Sequence, residues 1–171
     1  MTTQGFVSER YARANEYDIP ANKLTVREAR KIPNTADELS YAEVVKMKLA
    51  IVFADIRGYT KRIDKADSKV AARTMTLYVT EMASAIRHHS GTIVGIEGDG
   101  IIGAFADSDS RNAQTIAVRC VVTMNTLLDF VVNKKLKSFK QEPLSYGYGA
   151  DFGRIMTLSK TKQNQLRIRL S

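Results

Sequence analysis

The sequence of 171 residues is poor in the side chains that crosslink a chain or hold zinc. It has one cysteine, Cys120, two histidines, His88 and His89, and no tryptophan. One cysteine cannot form an internal disulfide, and so few cysteines and histidines cannot build a Cys/His metal cluster. The sequence therefore excludes a disulfide-stapled domain and a zinc-binding domain, and it favours a reducing, cytoplasmic setting.

Long apolar runs are also missing. No uninterrupted hydrophobic stretch reaches the ~18 residues that cross a bilayer, so we expect no membrane span. The first residues, MTTQGFVSER, lack an apolar signal core, which argues against secretion. Hydrophobic residues at 44% and charged residues at 26% are ordinary for a folded domain, so global disorder is excluded.

Positive charge is what the sequence has in excess. There are 26 Lys+Arg against 18 Asp+Glu, a formal net charge of +8. This charge favours an anionic partner such as nucleotide phosphates, nucleic acid or a membrane surface. The basic C-terminal residues 160–169 carry no interleaved aromatic side chains, so we do not expect a nucleic-acid partner.

The hydrophobic pattern predicts alternating strands and helices. We divide the chain into an N-terminal arm over 1–45 and one domain over 46–171, and expect a short strand around Leu24–Arg30. The domain pattern predicts, in order, a buried strand Leu49–Asp55, a helix Ser68–His89, strands Thr92–Ile96 and Ile101–Phe105, a helix Ser110–Leu136 and a strand Ser145–Phe152. This order indicates an α/β sandwich with one mixed, mainly antiparallel sheet and helices on one face.

The helix periodicity predicts which side chains face the core. In the first long helix these are Ala71, Met75, Tyr78, Met82 and Ile86, with Asp67 or Ser68 as the N-cap and Gly91 as the stop. In the second long helix they are Ile116, Cys120, Met124, Leu127 and Val131.

Two acidic residues lie at strand ends. Asp55 ends the first buried strand, and Asp99 lies in the glycine-flanked turn Glu97-Gly-Asp-Gly100. Carboxylates on rigid adjacent strands are what a two-metal phosphoryl-transfer site requires. Mg²⁺ prefers oxygen ligands and keeps waters and substrate phosphates, so two protein carboxylates suffice. A purely structural role for these acids also stays open, because Asp is common in turns, where its side chain forms local hydrogen bonds.

The segments around these acids resemble the metal motifs of class III nucleotidyl cyclases. Phe53-Ala-Asp55-Ile-Arg-Gly-Tyr-Thr60 resembles their first metal motif, and Gly91–Phe105, which contains Ile-Glu-Gly-Asp99-Gly, resembles their second. Gly147-Tyr-Gly-Ala-Asp-Phe-Gly153 is similar to the glycine-rich strand that follows. The resemblance covers residues 46–155 and implies the palm fold of that family.

The resemblance also implies an activity and a set of site residues. Class III cyclases convert a nucleoside triphosphate to a 3′,5′-cyclic monophosphate and pyrophosphate, with two Mg²⁺ or Mn²⁺ ions at a homodimer interface. By resemblance, Asp55 and Asp99 bind both metals and the carbonyl of Ile56 completes one metal's shell. The backbone amides around Gly58, Tyr59 and Thr60 hold the β- and γ-phosphates.

The base-reading position departs from the purine-specific relatives. They generally carry a Lys four residues before the second metal Asp, where this sequence has Gly95. We assign the base pocket to Tyr59, Gly95 and Glu97. The lead-in before the first strand, with Tyr17-Asp-Ile-Pro and Val26–Pro33, is similar to the pyrimidine cyclases of Pycsar antiphage systems. That similarity implies cyclic UMP or cyclic CMP as a second messenger for a downstream effector, and UTP is the favoured substrate.

The C-terminal part departs from the family pattern. Family members carry a further hairpin and a helix with an Asn and an Arg that stabilises transition-state charge. Asn164 and Arg167 are three residues apart rather than four, so the C-terminal part is expected to be incomplete or catalytically weakened. Three alternatives therefore stay open: an adenylate or guanylate cyclase, a degenerate nucleotide-binding regulatory domain, and, less favoured, a nucleic-acid-binding protein.

Overall fold

A computed structural model describes most of the chain outside its two terminal regions. The described residues are 4, 5, 7–9, 23, 25–29, 32, 43–63, 67–158 and 167–169. Contacts divide the chain into two compact units, one formed by Lys48–Gly153 and one by Met1–Met47 with Arg154–Ser171. Most of the predicted arm over 1–45, including Tyr17 and its neighbours, lies outside the described residues, as does Asn164.

Strands and helices alternate along the described chain much as the pattern predicts. In chain order they are β1 (Thr25–Glu28), β2 (Glu43–Ile56), α1 (Tyr59–Ile63), α2 (Ser68–His88), β3 (Thr92–Glu97), β4 (Gly100–Ala106), α3 (Ala113–Leu127), a π-helical turn (Leu128–Val132), α4 (Asn133–Ser138), β5 (Tyr146–Leu158) and β6 (Arg167–Arg169).

The sheet of the unit Lys48–Gly153 has the order β3-β4-β2-β5. Strands β2 and β4 are antiparallel, with Ala50 opposite Phe105 and Ala54 opposite Ile101. Strands β3 and β4 form an antiparallel hairpin that closes at the pair Glu97 and Gly100. The predicted class, a mixed and mainly antiparallel sheet with helices on one face, is confirmed.

The second unit contains two further strand pairs. Strand β1 runs parallel to the start of β2, with Thr25 opposite Glu43. The guanidinium of Arg27 donates to the carboxylate of Glu43 at 2.5 Å. Strand β6 runs antiparallel to the end of β5, with Met156 opposite Arg169. The short strand expected around residues 24–30 is therefore present.

The core of Lys48–Gly153 lies between the sheet and the long helices. Alternate residues of β2, namely Ala50, Val52, Ala54 and Ile56, pack against the inward side chains of α2 and α3. Helix α2 begins where Asp67 accepts a hydrogen bond from the backbone N–H of Lys69 at 2.9 Å, as a capping side chain does. Its predicted inward residues Tyr78, Met82 and Ile86 are fully buried.

The inward face of the second long helix differs from the prediction. Cys120 and Met124 are buried as expected, but the next buried positions are Leu128 and Val132, and Val131 is 39% exposed. In an α-helix each residue turns ~100°, so repeated four-residue steps overshoot the core by ~40° each time. The wider π-helical turn at Leu128–Val132 absorbs this overshoot and keeps every fourth side chain inward. The prediction for Val131 was therefore wrong by one position, whereas Leu127 is partly buried and packs against the core as predicted.

Gly91 follows α2 for a packing reason. The helix ends at His88, and Ser90, rather than Gly91, takes the left-handed conformation with φ 57°. A Cβ on Gly91 would lie 2.4 Å from the Phe105 ring and 2.9 Å from Ile86. Glycine is needed here because the core side chains approach the backbone so closely.

One helical segment passes a simple test for a membrane span. Ala113–Ser138 is 26 residues long with a mean hydropathy of 1.6 over its 18-residue window, of which 28% is buried in the protein. Core helices pass the same test, and the buried face of this segment, with Cys120, Met124 and Leu128, belongs to the core described above. The segment is thus weak support for a span, and the expected lack of one stays a prediction.

Candidate active site

Asp55 lies on the face of the sheet that the helices do not cover. Side chains alternate along a strand, so Phe53 and Asp55 point away from the core that Ala54 and Ile56 enter. Both side chains are exposed, Phe53 by 40%. We call this side of Lys48–Gly153, which carries Phe53 and Asp55, the open face.

The tight turn between β3 and β4 brings Asp99 to Asp55. Gly98 has φ 60° and occupies the first central position of the two-residue turn, where glycine is favoured. Strand β4 then begins beside the end of β2, and a Cβ on Gly100 would lie 3.5 Å from the Asp55 Oδ1 atom. The prediction that the two acids come from neighbouring strands therefore agrees with the geometry.

The electrostatics of Asp99 reflect that neighbour. Partial burial raises the pKa of Asp99 most, and the negative charge of Asp55 and a side-chain hydrogen bond with it raise that pKa further. A hydrogen bond to its own backbone N–H acts in the opposite direction. Two carboxyl groups this close cannot both ionise comfortably unless a cation lies between them. The pair therefore has the character of a cation site.

The turn after Asp55 is built around Gly58. This residue has φ 68° and no atom within 4 Å of where a Cβ would stand, so its conformation, rather than crowding, requires glycine. Ile56 before it is buried, while Thr60 after it is exposed. The short helix α1 then starts at Tyr59.

Tyr59 is turned toward helix α2. Its hydroxyl donates a hydrogen bond to the carbonyl of Ala71 at 3.3 Å, and its ring packs against the core. Burial raises the pKa of the Tyr59 hydroxyl, the charge of Asp99 adds to the rise, and Arg62 opposes it. The structure thus places Tyr59 near Asp99, and its assigned part in a base pocket stays a prediction.

Gly95 and Glu97 lie on β3, the strand that leads to Asp99. The pairing of β3 with β4 shifts register between Ile93 and Gly95. Space beside Gly95 is open, since a Cβ there would come no closer than 4.0 Å, to Ile102. Glu97 is exposed at the end of the strand, opposite Gly100.

Arg62 holds the turn after Asp55 to the start of β5. Its guanidinium donates to the carbonyls of Glu142 at 2.6 Å and Pro143 at 3.1 Å. The backbone N–H of Arg57 donates to the carbonyl of Ser145 at 2.8 Å. The sequence could not assign Arg62 this part, because its partners lie about 80 positions away and are backbone atoms.

Two tyrosine hydroxyls lie buried at the core. Within the described part of the chain, the hydroxyls of Tyr78 and Tyr148 have no hydrogen-bond partner. Burial raises the pKa of Tyr78 most strongly, and the charges of Asp55 and then Asp99 add to it. The Tyr78 hydroxyl is therefore close enough to feel both acids from the core side.

Comparison with known proteins points to one family. No family model matches the chain. A curated uridylate cyclase from Rhodovulum sp. (strain MB263) is 23% identical over 128 residues, which cover 71% of this chain and 52% of that protein. The chain thus spans about half the length of this curated relative.

Solved structures agree on the fold. The guanylyl cyclase Cya2 superposes with a TM-score of 0.61 and 26% identity, over 74% of this chain and 65% of that one. A class III adenylyl cyclase-like ATP-binding protein from Pseudomonas aeruginosa superposes with a TM-score of 0.75 and 17% identity, over 99% of this chain and 38% of that one. The resemblance to class III nucleotidyl cyclase catalytic domains, first seen in the motifs, is confirmed in sequence and in fold.

Proposed function

We propose that this chain, with its class III cyclase fold, is a metal-dependent nucleotidyl cyclase. The proposed reaction converts a pyrimidine nucleoside triphosphate, UTP in preference to CTP, to its 3′,5′-cyclic monophosphate and pyrophosphate. The main support for the proposal is that Asp55 and Asp99 lie close together on the open face. Two carboxylates from adjacent strands, beside a glycine turn, form the donor set that metal-assisted phosphoryl transfer uses.

The residues present fit a pair of Mg²⁺ or Mn²⁺ ions. Asp55 and Asp99 offer carboxylate oxygens, and Ile56 offers a main-chain carbonyl in the adjacent position. Within the described residues no third His, Cys, Asp or Glu joins the pair, which suits ions that complete their shells with water and substrate phosphates. Bound there, the ions would supply charge neutralisation and would acidify the ribose 3′-hydroxyl.

The chain's own part in the proposed reaction is positioning. The 3′-oxygen bonds to the α-phosphorus as the bond from that phosphorus to the pyrophosphate breaks, so the reacting atoms must be held in line. The main-chain amides of Gly58, Tyr59 and Thr60 are proposed to hold the β- and γ-phosphates. The bonds from Arg62 and from the Arg57 N–H fix this turn against β5, which keeps it in register with the acid pair.

Two findings support a pyrimidine base. The curated relative is a uridylate cyclase. Gly95 stands where purine-specific relatives carry a lysine, and the space beside it is open and lined by Ile102. We propose that the missing lysine removes a donor to a purine, with Glu97 and Tyr59 nearest to the base.

We also propose that the active form is a homodimer. The open face exposes the apolar ring of Phe53, which is 40% exposed and which a lone chain leaves in water. A second copy covering this face would bury this ring and would close the acid pair off from solvent. Sedimentation of the wild type against Phe53→Ser tests this proposal, and a monomeric wild type at every concentration would refute it.

A product assay tests the proposed reaction. Purified protein with Mn²⁺ is incubated separately with ATP, GTP, CTP and UTP, and mass spectrometry looks for each cyclic monophosphate. Cyclic UMP or cyclic CMP that disappears in Asp55→Ala supports the proposal. Cyclic AMP or cyclic GMP instead would keep the cyclase and reject the pyrimidine base.

A second candidate is nucleotide binding without turnover. It is favoured by the superposition, over 99% of this chain, on a structure named as an ATP-binding protein. It predicts nucleotide affinity in equilibrium dialysis together with no cyclic product from any of the four nucleotides.

By the Pycsar resemblance, we propose that the cyclic product acts as a second messenger in antiviral defence. The product would activate a separate effector in the cytoplasm. Cyclic nucleotide measured in cells before and after phage infection tests this role, and an unchanged level in cells that express the active protein would contradict it.

A further inference from the structure

Arg57 directly follows strand β2, two residues after Asp55. Its backbone N–H donates to the carbonyl of Ser145 in the segment before β5. Its side chain is exposed.

The glycines of β5 leave space for the Arg57 side chain. A Cβ on Gly149 would lie 4.0 Å from the Phe53 Cβ, so position 149 faces the same side as Phe53. Position 147, two residues before, shares that face by alternation. A Cβ on Gly147 would lie 3.4 Å from Arg57 Nε and 3.6 Å from one terminal nitrogen, and its three nearest atoms all belong to this guanidinium.

The guanidinium lies beside Gly147 with its donors free. Among the described residues its side chain makes no hydrogen bond or ion pair. An arginine presents its N–H groups in a planar fork that matches phosphate oxygens in pairs and stays charged at any working pH. An exposed cation on the same face as Asp55, directly before the Gly58 turn, suits a polyanion that bridges the acid pair and this turn.

We propose that Arg57 is a catalytic residue of the reaction proposed above: its guanidinium binds the β- and γ-phosphates and stabilises the departing pyrophosphate. This inference rests on the proposed function. As the bond from the α-phosphorus to the leaving oxygen breaks, its electron pair stays on the pyrophosphate, whose charge rises where the guanidinium lies.

Equilibrium binding of uncyclisable nucleotides isolates this task. 3′-Deoxy-UTP lacks the attacking hydroxyl, and 3′-deoxy-UMP lacks the β- and γ-phosphates as well. With Mn²⁺ present, calorimetry on Arg57→Gln is expected to show a ~10- to 100-fold rise in Kd for the triphosphate and little change for the monophosphate. Arg57→Lys should fall between, because it keeps the charge and loses the fork.

Two matched controls accompany the variant. Arg87→Gln removes an exposed arginine at the end of α2 and should bind the triphosphate like the wild type. Gly147→Val fills the space beside the Arg57 guanidinium and should weaken triphosphate binding. Gly153→Val on the same strand meets no atom within 4 Å and should leave triphosphate binding unchanged. Adding Gly147→Val to Arg57→Gln should cost nothing further.

The outcomes separate this inference from the proposed function. If the wild type forms cyclic product and Arg57→Gln binds the triphosphate as tightly as the wild type does, the assignment of Arg57 is wrong and the proposed cyclase reaction stands. Equal losses for triphosphate and monophosphate overturn it as well. If the wild type yields no cyclic product but Arg57→Gln still binds the triphosphate more weakly, the proposed reaction is overturned. Arg57 is then supported as a phosphate-binding residue.

Discussion

The two faces of strand β2 differ sharply although they belong to the same few residues. On the helix side, Val52, Ala54 and Ile56 are at most 2% exposed and join one continuous core. On the open face, Phe53 is 40% exposed, Asp55 is exposed and Arg57 follows. One strand therefore serves as scaffold on one side and carries the candidate site on the other.

The difference explains why the site can be both charged and rigid. Apolar burial on the helix side holds the strand in place, at roughly 25 cal/mol for each Å² of apolar surface removed from water. The open face can then bear two neighbouring acids that give little stability themselves. Loss of a helix-side group should therefore cost folding, whereas loss of an open-face group should cost chemistry.

The largest expected effect is the loss of activity in Asp55→Asn. This change keeps the shape of the side chain and removes its charge, so cyclic nucleotide formation should fall by ~1,000-fold, about 4 kcal/mol of transition-state stabilisation. The melting temperature should stay near that of the wild type, because Asp55 lies outside the core. Steady-state rates and thermal unfolding on the same preparation check this, and an active Asp55→Asn would remove the acid from the mechanism.

A matched pair of isoleucines tests the scaffold side. Ile86→Ala leaves a cavity among fully buried side chains and should lower the free energy of unfolding by about 2–5 kcal/mol. Ile96→Ala, at a side chain 53% exposed on strand β3, should change it by less than about 0.5 kcal/mol in the monomer. Urea denaturation of both variants decides the matter, and equal losses would contradict the contrast between buried and exposed positions.

Removing the hydroxyl of a buried tyrosine should raise the stability of this protein, whereas removing a hydrogen-bonded hydroxyl ordinarily lowers it. Tyr78→Phe and Tyr148→Phe each remove a buried hydroxyl without a partner in the described structure, so stability should rise by up to about 1 kcal/mol. Tyr59→Phe is the control, since its hydroxyl donates to Ala71 and its loss should cost about 0.5–1.5 kcal/mol. A clear loss of stability in Tyr78→Phe would reveal a partner for that hydroxyl.

The smallest expected effect concerns the repulsion between the two acids. Without divalent cations, Asp99→Asn removes a charge beside Asp55 and should raise the melting temperature by about 1–2 °C, since solvent screening keeps the gain well under 1 kcal/mol. With Mn²⁺ the order should reverse, because the wild type gains more from the ion. Thermal scans with and without Mn²⁺ measure both, and a Mn²⁺ response unchanged in Asp99→Asn would argue against the pair as its site.

Much of the fold could be predicted because local patterns matched the final packing. The apolar run before Asp55, the hairpin around Asp99 and the inward face of α2 each depend on residues close in sequence. The register of α3 could not be predicted this way. A π-helical turn shifted the buried position from Val131 to Val132, and nothing in the local apolar spacing marks such a turn.

The candidate site was predictable only in part. Asp55, Gly58 and Asp99 stand in motifs that resemble a known family, so they could be named from the sequence. Arg62 donates to the carbonyls of Glu142 and Pro143, and Arg57 lies beside a glycine of β5. These neighbours are distant from both arginines in the chain. Such contacts depend on which strands become neighbours, and that choice belongs to the whole fold.

Mn²⁺ binding followed by electron paramagnetic resonance tests the central claim most directly, because it detects the ion without requiring turnover. Free and bound Mn²⁺ would be titrated against the wild type, Asp55→Asn and Asp99→Asn, each with and without 3′-deoxy-UTP. The account predicts that bound Mn²⁺ in the wild type rises when the nucleotide is added and that either substitution weakens binding at least ~10-fold. Equal Mn²⁺ binding in all three proteins would show that the acid pair is not a metal site and would contradict the account.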